Sequence, residues 1–536
     1  MKLLRVWRDH RYLYIDTDEG TRQQSLRWSG VRALEEKCEA LIGREIIHST
    51  WGDWDPNVWF QDVKPAQKTQ QEGGSEDISS LFPTTLKFEN QTSKRYYGPP
   101  GTGKTKTLID ITKEALAAGI NSTHIGYFAF TNVAAKEALG RIVGDKSVDA
   151  QDYPGFSTLH SFATKIGGTN GNKIATSESL SAFDPNIHIN EEWMVAGDFG
   201  SVVSRPDHPI LNAYSRMLNR MEKQPSFEDR EVDQGISKLS QFFNLSQEIV
   251  KDKFIICAEQ YWEQYLTFKK AHNLADFNDV IVNVVNDEFP DFRIPTFELL
   301  IVDEAQDLSN LQWALIEKLR NKAKRTIIAG DDDQAILEAF GANPQKFVEF
   351  DTTEEDKVLS TSHRVPEEIK EFVDRTSLAR LIRTFSFRKE KTWHPNPDAE
   401  NPGEIQSTID RKVIKNGKES IIPDALKIDD LVRILRSDPN SDWLVMSPTR
   451  ATGDVISNAL KNAKIPHYIH RKDVLDPAPT EQAIKIQTVH TSKGMGAQKV
   501  AFVKSSRGDY WMDQKDPRLE YVALTRAIKT LIIVNE

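Results

Sequence analysis

The sequence predicts an α/β chain of two doubly wound parallel-sheet lobes, with an inserted helical subdomain and a small N-terminal accessory module. Three stretches predict it. The run Gly98-Pro99-Pro100-Gly101-Thr102-Gly103-Lys104-Thr105 follows the strand-like Lys94-Arg95-Tyr96-Tyr97 and precedes a helix-like run from Lys106. Leu299-Leu300-Ile301-Val302 leads into Asp303-Glu304-Ala305-Gln306-Asp307, and Thr326-Ile327-Ile328-Ala329 leads into Gly330-Asp331-Asp332-Asp333-Gln334. Short apolar runs that end in polar residues read as buried parallel strands carrying chemistry at their C-terminal ends.

In chain order, residues 1–63 form the N-terminal module. Apolar and polar residues alternate from Leu3 to Ile15, a helical pattern covers Val31 to Ile42, and Trp51, Trp54 and Trp59 follow. Residues 64–83, rich in Gln, Glu, Gly and Ser, read as a linker. The first lobe is expected over 84–168 and 245–345, interrupted by an insertion over 169–244, with Gln247 to His272 returning to the lobe as a helix. The second lobe is expected over 346–536. It contains a strand at Trp443–Met446, a helix from Gly453 to Asn462 and a strand around His467–Ile469.

The loop from Gly98 to Thr105 is built to hold a nucleoside triphosphate. Its glycines let successive backbone N–H groups turn toward a phosphate chain, Lys104 reaches the terminal phosphates, and the Thr105 hydroxyl suits a magnesium ion. All eight residues, Gly98, Pro99, Pro100, Gly101, Thr102, Gly103, Lys104 and Thr105, are assigned to nucleotide binding. Asp303 is expected to hold magnesium, and Glu304 to orient or deprotonate the attacking water. Gln334 is placed to sense the γ-phosphate. Ser362-His363-Arg364, Thr488 to Gly494 and Tyr521 to Ala527 supply two arginines far from the loop in sequence, as a second lobe closing over phosphates would.

These blocks, in this order, resemble the motifs of the UvrD/Rep/PcrA group of superfamily 1 DNA helicases. Phe130-Thr131-Asn132 with Ala134-Ala135, Thr158-Leu159-His160-Ser161 and Leu274 to Asp279 resemble further motifs of that group. The resemblance implies two RecA-like lobes, ATP and Mg2+ as cofactors, single-stranded DNA and DNA junctions as partners, and 3′-to-5′ movement coupled to strand separation. It implies that Glu304 is the catalytic base, that Gln334 couples nucleotide to DNA, and that Arg364 and Arg526 are arginine fingers. His363 takes the base-stacking place, and Phe130, Thr131, Asn132, His160, Phe340 and His490 become candidate DNA contacts. For Phe130 and His160, core packing and base contact both stay open.

The chain departs from the group's pattern at several points. No glutamine stands between Asp77 and Asn90, where an adenine-reading glutamine is usual, and His363 replaces a tyrosine. Met495-Gly496 stands where a glutamate is common, and Leu337 and Ala339 replace two stacking aromatics, leaving Phe340 nearest. Each lost stack is worth roughly 1–3 kcal/mol per base. Only a short stretch near 471–484 stands where larger members insert a 2B domain, so that domain is expected to be reduced to a loop, and no nuclease domain is expected after Glu536.

Composition narrows the class. A chain of 536 residues exceeds one core. Its net charge is −10, from 69 basic and 79 acidic residues, so any DNA groove must be locally basic. The stretch from Arg380 to Trp393 mixes cations and aromatics and reads either as a solvated flank or as a single-strand binder. Cys38 and Cys257 match no metal spacing and read as reduced thiols. With no apolar run of about 18 residues and no address signal, a cytoplasmic protein without a membrane partner is expected, nucleoid-associated or in a host cytoplasm if viral. The tryptophan-rich module is a candidate site for a protein partner. Alternatives are a nucleic-acid-binding regulatory protein with a relict ATPase fold and an RNA-directed helicase.

Overall fold

The structure, a computed structural model, describes residues 90–144, 152–187, 208–415, 418–469, 484–504 and 516–535, without the side chains of 411–422, together with the backbone of five short strands nearer the N-terminus. The expected helix over 31–42, the three tryptophans, Cys38, the linker and the 471–483 stretch lie outside the described residues. By contact the chain divides into two compact units, one of residues 1–76, 171–175 and 239–276, the other of the remainder.

In the first unit, β1 (Leu3–Arg8), β2 (Tyr12–Thr17) and β3 (Gly20–Ser25) form an antiparallel meander, and β4 (Ile46–Ile47) pairs with β5 (Gln61–Asp62). The alternation in the sequence from Leu3 thus falls in two paired strands. The helical stretch expected over 247–272 is two helices, Gln247–Asp252 and Phe254–Ala271. They belong to this unit rather than to the first lobe, a correction to the expected return. Lys269 and Tyr265 of the longer helix bind the Asp276 carboxylate at 2.6 and 3.1 Å.

The second unit holds both lobes. Its first sheet is built from β6 (Thr92–Tyr97), β7 (Ile125–Phe128), β8 (Phe156–Ser157), β11 (Phe297–Val302), β12 (Ala323–Gly330) and β13 (Lys357–Val358); β9 (Lys173–Ile174) and β10 (Leu274–Ala275) pair in the other unit. The order is β13-β6-β12-β11-β7-β8 with every pairing parallel. Helices α1 (Lys104–Ala117), α2 (Asn132–Val143) and α3 (Asn310–Arg320) connect these strands. Strands covered on both faces must be apolar throughout, and Leu299, Leu300, Ile301 and Val302 are all buried. Strand β13 lies beyond the expected boundary at 345, because Leu359 N–H donates to Tyr97 O and zips this segment onto the edge of β6.

The second sheet is also parallel, in the order β14-β21-β20-β17-β19-β18, from β14 (Glu404–Gln406), β17 (Trp443–Ser447), β18 (His467–Ile469), β19 (Ile484–Thr488), β20 (Ala497–Lys504) and β21 (Ala527–Asn535). A hairpin the sequence reading did not identify, β15 (Thr408–Lys415) with β16 (Lys418–Ala425), precedes β17. The fold is therefore α/β with two doubly wound parallel sheets. Ile336 and Leu337, from the loop after β12, sit in the apolar core of the second lobe with Val489, Tyr521 and Leu524.

Leu300 is fully buried at the centre of β11. Leu300→Ala is expected to remove about 3 kcal/mol of stability through the cavity it leaves, measured as a lowered urea midpoint by circular dichroism.

Candidate active site

The C-terminal ends of β6, β7, β11 and β12 share one edge of the first sheet. There they line a cavity of about 610 Å3 together with residues of the second lobe. Gly98 N–H donates to Gly330 O at 3.0 Å, tying the start of the phosphate-type loop to the end of β12. Gly101 and Gly103 have φ of +74° and +79°, the left-handed region that glycine occupies freely. Lys104, Thr105 and Lys106, at the N-terminus of α1, line the cavity, where helix amides and dipole favour an anion. Lys104 Nζ donates to Gly98 O at 2.8 Å and lies 4.0 Å from Glu304 Oε1.

At the end of β11, Thr105 Oγ1 donates to Asp303 Oδ2 at 2.7 Å, and Glu304 N–H donates to the other Asp303 oxygen at 2.9 Å. Glu304 itself adopts φ +52°, an uncommon conformation for a side chain with a Cβ. That turn sets its carboxylate beside Lys104. Gln306 Nε2 donates to Glu304 Oε2 at 2.6 Å, while Gln306 Oε1 accepts from Asp331 N–H at 3.0 Å. Burial, reinforced by Glu304, pushes Asp303 up to about 6 against the pull of Thr105 and Lys104. Burial would raise Glu304 too, but Lys104, Lys493, Gln306 and Arg526 together hold it down to about 2. The hydroxyl and carboxylate of Thr105 and Asp303 are the hard oxygen donors that a magnesium ion takes.

The second lobe closes the cavity. Ser362 Oγ donates to Pro100 O at 2.8 Å, and His363 N–H donates to Gly101 O at 2.8 Å. A Cβ at Gly101 would stand 2.6 Å from Arg364 Cβ, so any side chain there would collide with this segment. His363 and Arg364 both line the cavity, as does Arg526. Arg526 Nη2 donates to Gln334 Oε1 at 3.1 Å, and Gln334 Nε2 donates to Asp331 Oδ2 at 2.7 Å. Burial, then Arg364, lowers Arg526 to about 9, with Glu304 opposing; burial lowers Arg364 as well. Two desolvated guanidiniums, one of them depressing the other's charge, mark a place suited to an anion.

Four of the six residues proposed from the sequence as DNA contacts line the same cavity: Phe130, Thr131, Phe340 and His490. Phe340 and His490 meet edge to face at 5.9 Å. Thr131 caps α2 by accepting from Ala134 N–H at 3.1 Å. Asn132 is buried in the first turn of α2 and does not line the cavity. Nor does His160, whose ring lies 6.2 Å from that of Phe277. Burial pulls the His160 imidazole down to about 4.

Several functional residues escaped the sequence reading. Lys493 pairs with Asp307 and donates to Gln334 O at 3.0 Å; the only signal was a lysine within the Thr488–Gly494 block. Gln306 joins Glu304 to the Asp331 backbone, and its signal was an amide two residues after the acidic pair. The 380–393 stretch is divided: Ile382, Arg383, Thr384, Ser386, Lys389 and Glu390 are exposed, as a solvated flank would be, while Leu381, Lys391 and Trp393 are buried. Arg388 and Lys391 are buried against the Asp331–Asp333 triplet, since three buried carboxylates require cations.

Residues 92–355 match the family model for the UvrD/REP helicase N-terminal domain. The chain is 26% identical over 256 residues to the ATP-dependent DNA helicase Rep of Buchnera aphidicola subsp. Baizongia pistaciae, covering 46% of this chain and 34% of that protein. It is 25% identical over 394 residues to the ATP-dependent DNA helicase PcrA of Leuconostoc citreum, covering 70% of this chain and 48% of that protein. To the PcrA of Staphylococcus epidermidis (strain ATCC 35984) it is 25% identical over 259 residues, covering 47% of this chain and 33% of that protein. The chain thus spans about a third to a half of the length of these relatives.

Asp307 supplies a pH test. Burial raises its carboxyl to about 6 despite the Lys493 cation, so between about pH 4 and 6 the folded chain holds a proton that the unfolded chain has released. This contribution to stability is present at the acid end of that window and is lost as pH rises through it. Asp307→Asn removes it. The stability difference between wild type and D307N should therefore shift in favour of wild type as pH falls from about 6 to 4, measured by denaturant unfolding across that range.

Proposed function

Because the chain is of the UvrD/Rep/PcrA type of superfamily 1 helicases, we propose that it is an ATP-dependent DNA translocase and helicase moving 3′ to 5′ on single-stranded DNA. The observation that carries the reading is the contact of Arg526, from the second lobe, with Gln334 at the end of β12, across a cavity floored by Lys104, Thr105, Asp303 and Glu304. A triphosphate seated on the loop would touch both lobes at once, so its binding and release would change how they close. Differences in binding energy between closed and open states would then drive alternating grip on the strand.

Each residue has a role in this reading. The loop amides and Lys104 hold the β- and γ-phosphates, and Thr105 and Asp303 would hold Mg2+, which when bound neutralises phosphate charge. Glu304, kept ionised by Lys104 and Lys493 against its burial, is the catalytic base of this reading. It orients the attacking water, with Gln306 fixing its second oxygen. Arg364 and Arg526 meet the charge that develops on the transferring phosphoryl group. Gln334 senses that group, and Phe130, Phe340 and His490 form the start of a groove on which bases stack. DNA junctions are the expected substrate, a protein partner is expected at the N-terminal module, and a cytoplasmic site of action follows from the same reading. The stretch near 471–484 in place of a 2B domain fits a translocase with weak or unregulated unwinding.

Lys104→Ala should abolish turnover while leaving the circular dichroism spectrum unchanged, and Arg526→Ala should lower kcat on the order of 10³-fold or more. Hydrolysis should rise with single-stranded DNA and not with duplex DNA or single-stranded RNA, and streptavidin should be displaced from the 5′ end only. Retained DNA-stimulated hydrolysis in K104A would sink the assignment. Stimulation by RNA alone would move it to an RNA substrate.

A further inference from the structure

Asp331, Asp332 and Asp333 follow β12 in succession and are each at most 3% exposed. Three adjacent carboxylates removed from water cannot stay ionised without close cations. One short segment of the second lobe supplies them. Lys391, also buried, places Nζ 2.9 Å from Asp331 Oδ1 and 3.0 Å from Asp333 Oδ2, and against Asp332 as well. Arg388 grips Asp333 with two hydrogen bonds, at 2.6 and 3.0 Å, and Lys389 N–H donates to Asp332 at 2.9 Å. Two residues on, Trp393 is anchored in the core of the second lobe.

Of the three carboxylates, Asp331 is the one that touches Gln334. Its Oδ2 accepts from the Gln334 amide nitrogen while its Oδ1 faces Lys391, and the Gln334 amide oxygen accepts from Arg526. The path Lys391–Asp331–Gln334–Arg526 therefore starts in the second lobe, crosses a residue pair of the first lobe, and ends in the second. Lys391 and Arg388 do not line the cavity, so neither meets a ligand there.

We propose that Lys391, with Arg388, is a positioning residue for Gln334: it fixes the Asp331 carboxylate that aims the glutamine amide, and so ties that aim to the placement of the second lobe. The proposal rests on the reading of Gln334 as the residue that senses the phosphoryl group. Burial pushes Asp333 up to about 6, with Lys391 as the largest opposing influence, so the lysine also favours the ionised form of that carboxyl.

The test is a mutant cycle in DNA-stimulated ATP hydrolysis. Asp332→Asn/Lys391→Met removes one anion and one cation together, which avoids stranding an uncompensated buried charge. Its kcat should fall about tenfold at a KM for ATP within about twofold of wild type, and adding Gln334→Ala should slow it no further than Q334A alone. Should that variant fail to fold, Asp331→Asn, which removes one excess negative charge, is read in the same cycle with the same expectation. Wild-type kcat in a folded variant, or losses that multiply with those of Q334A, would overturn the proposal and leave the cluster structural. Wild-type turnover in Q334A would instead remove the reading of Gln334, and the proposal with it.

Discussion

Parallel alignment is the constraint on which the site depends. Because β6, β11 and β12 run the same way and adjoin one another, the phosphate-type loop, Asp303-Glu304 and the Asp331–Gln334 loop emerge along one edge within hydrogen-bonding reach. No single contact could assemble residues 98, 303 and 334; the ladder does so as a by-product of burying apolar strands. The left-handed turn at Glu304 then adds the one local adjustment the ladder cannot make.

Charge compensation is the second constraint. Six carboxylates gather around this edge, namely Asp303, Glu304, Asp307, Asp331, Asp332 and Asp333, and six cations meet them, namely Lys104, Lys493, Arg364, Arg526, Arg388 and Lys391. They divide into two groups. One faces the cavity, where the cations are free to exchange partners with a phosphate. The other, behind Gln334, is buried, and a buried ion cluster of that kind is weak evidence for added stability.

The sequence disclosed the parts whose signals are local. The loop, the two acid-ended strands and the paired arginines are each short runs, and all meet at the cleft. What it hid was non-local. Nothing in Arg388 or Lys391 says that the partner lies some sixty residues earlier, although three aspartates after a buried strand should have raised the question. The two-residue strand β13 is too short for any periodicity, and its place on β6 is set by edge hydrogen bonds from Thr353 and Glu354 to Ser93 and from Leu359 to Tyr97. His160 sits in a motif-like string, yet helical spacing turns it toward Phe277. Helix Phe254–Ala271 reads correctly as a helix, while the unit it joins follows from contacts that no window of sequence contains.

Ile336 and Leu337 belong by chain to the loop after β12 and by packing to the core of the second lobe. The two sheets share no strand, and on topology alone each could melt by itself. Melting the second core, however, would expose two large apolar side chains and release the loop that bears Gln334, so the first lobe would lose its own sheet edge in the same event. The pair thus couples the unfolding of one core to the loss of an edge in the other, and the two lobes are expected to unfold together.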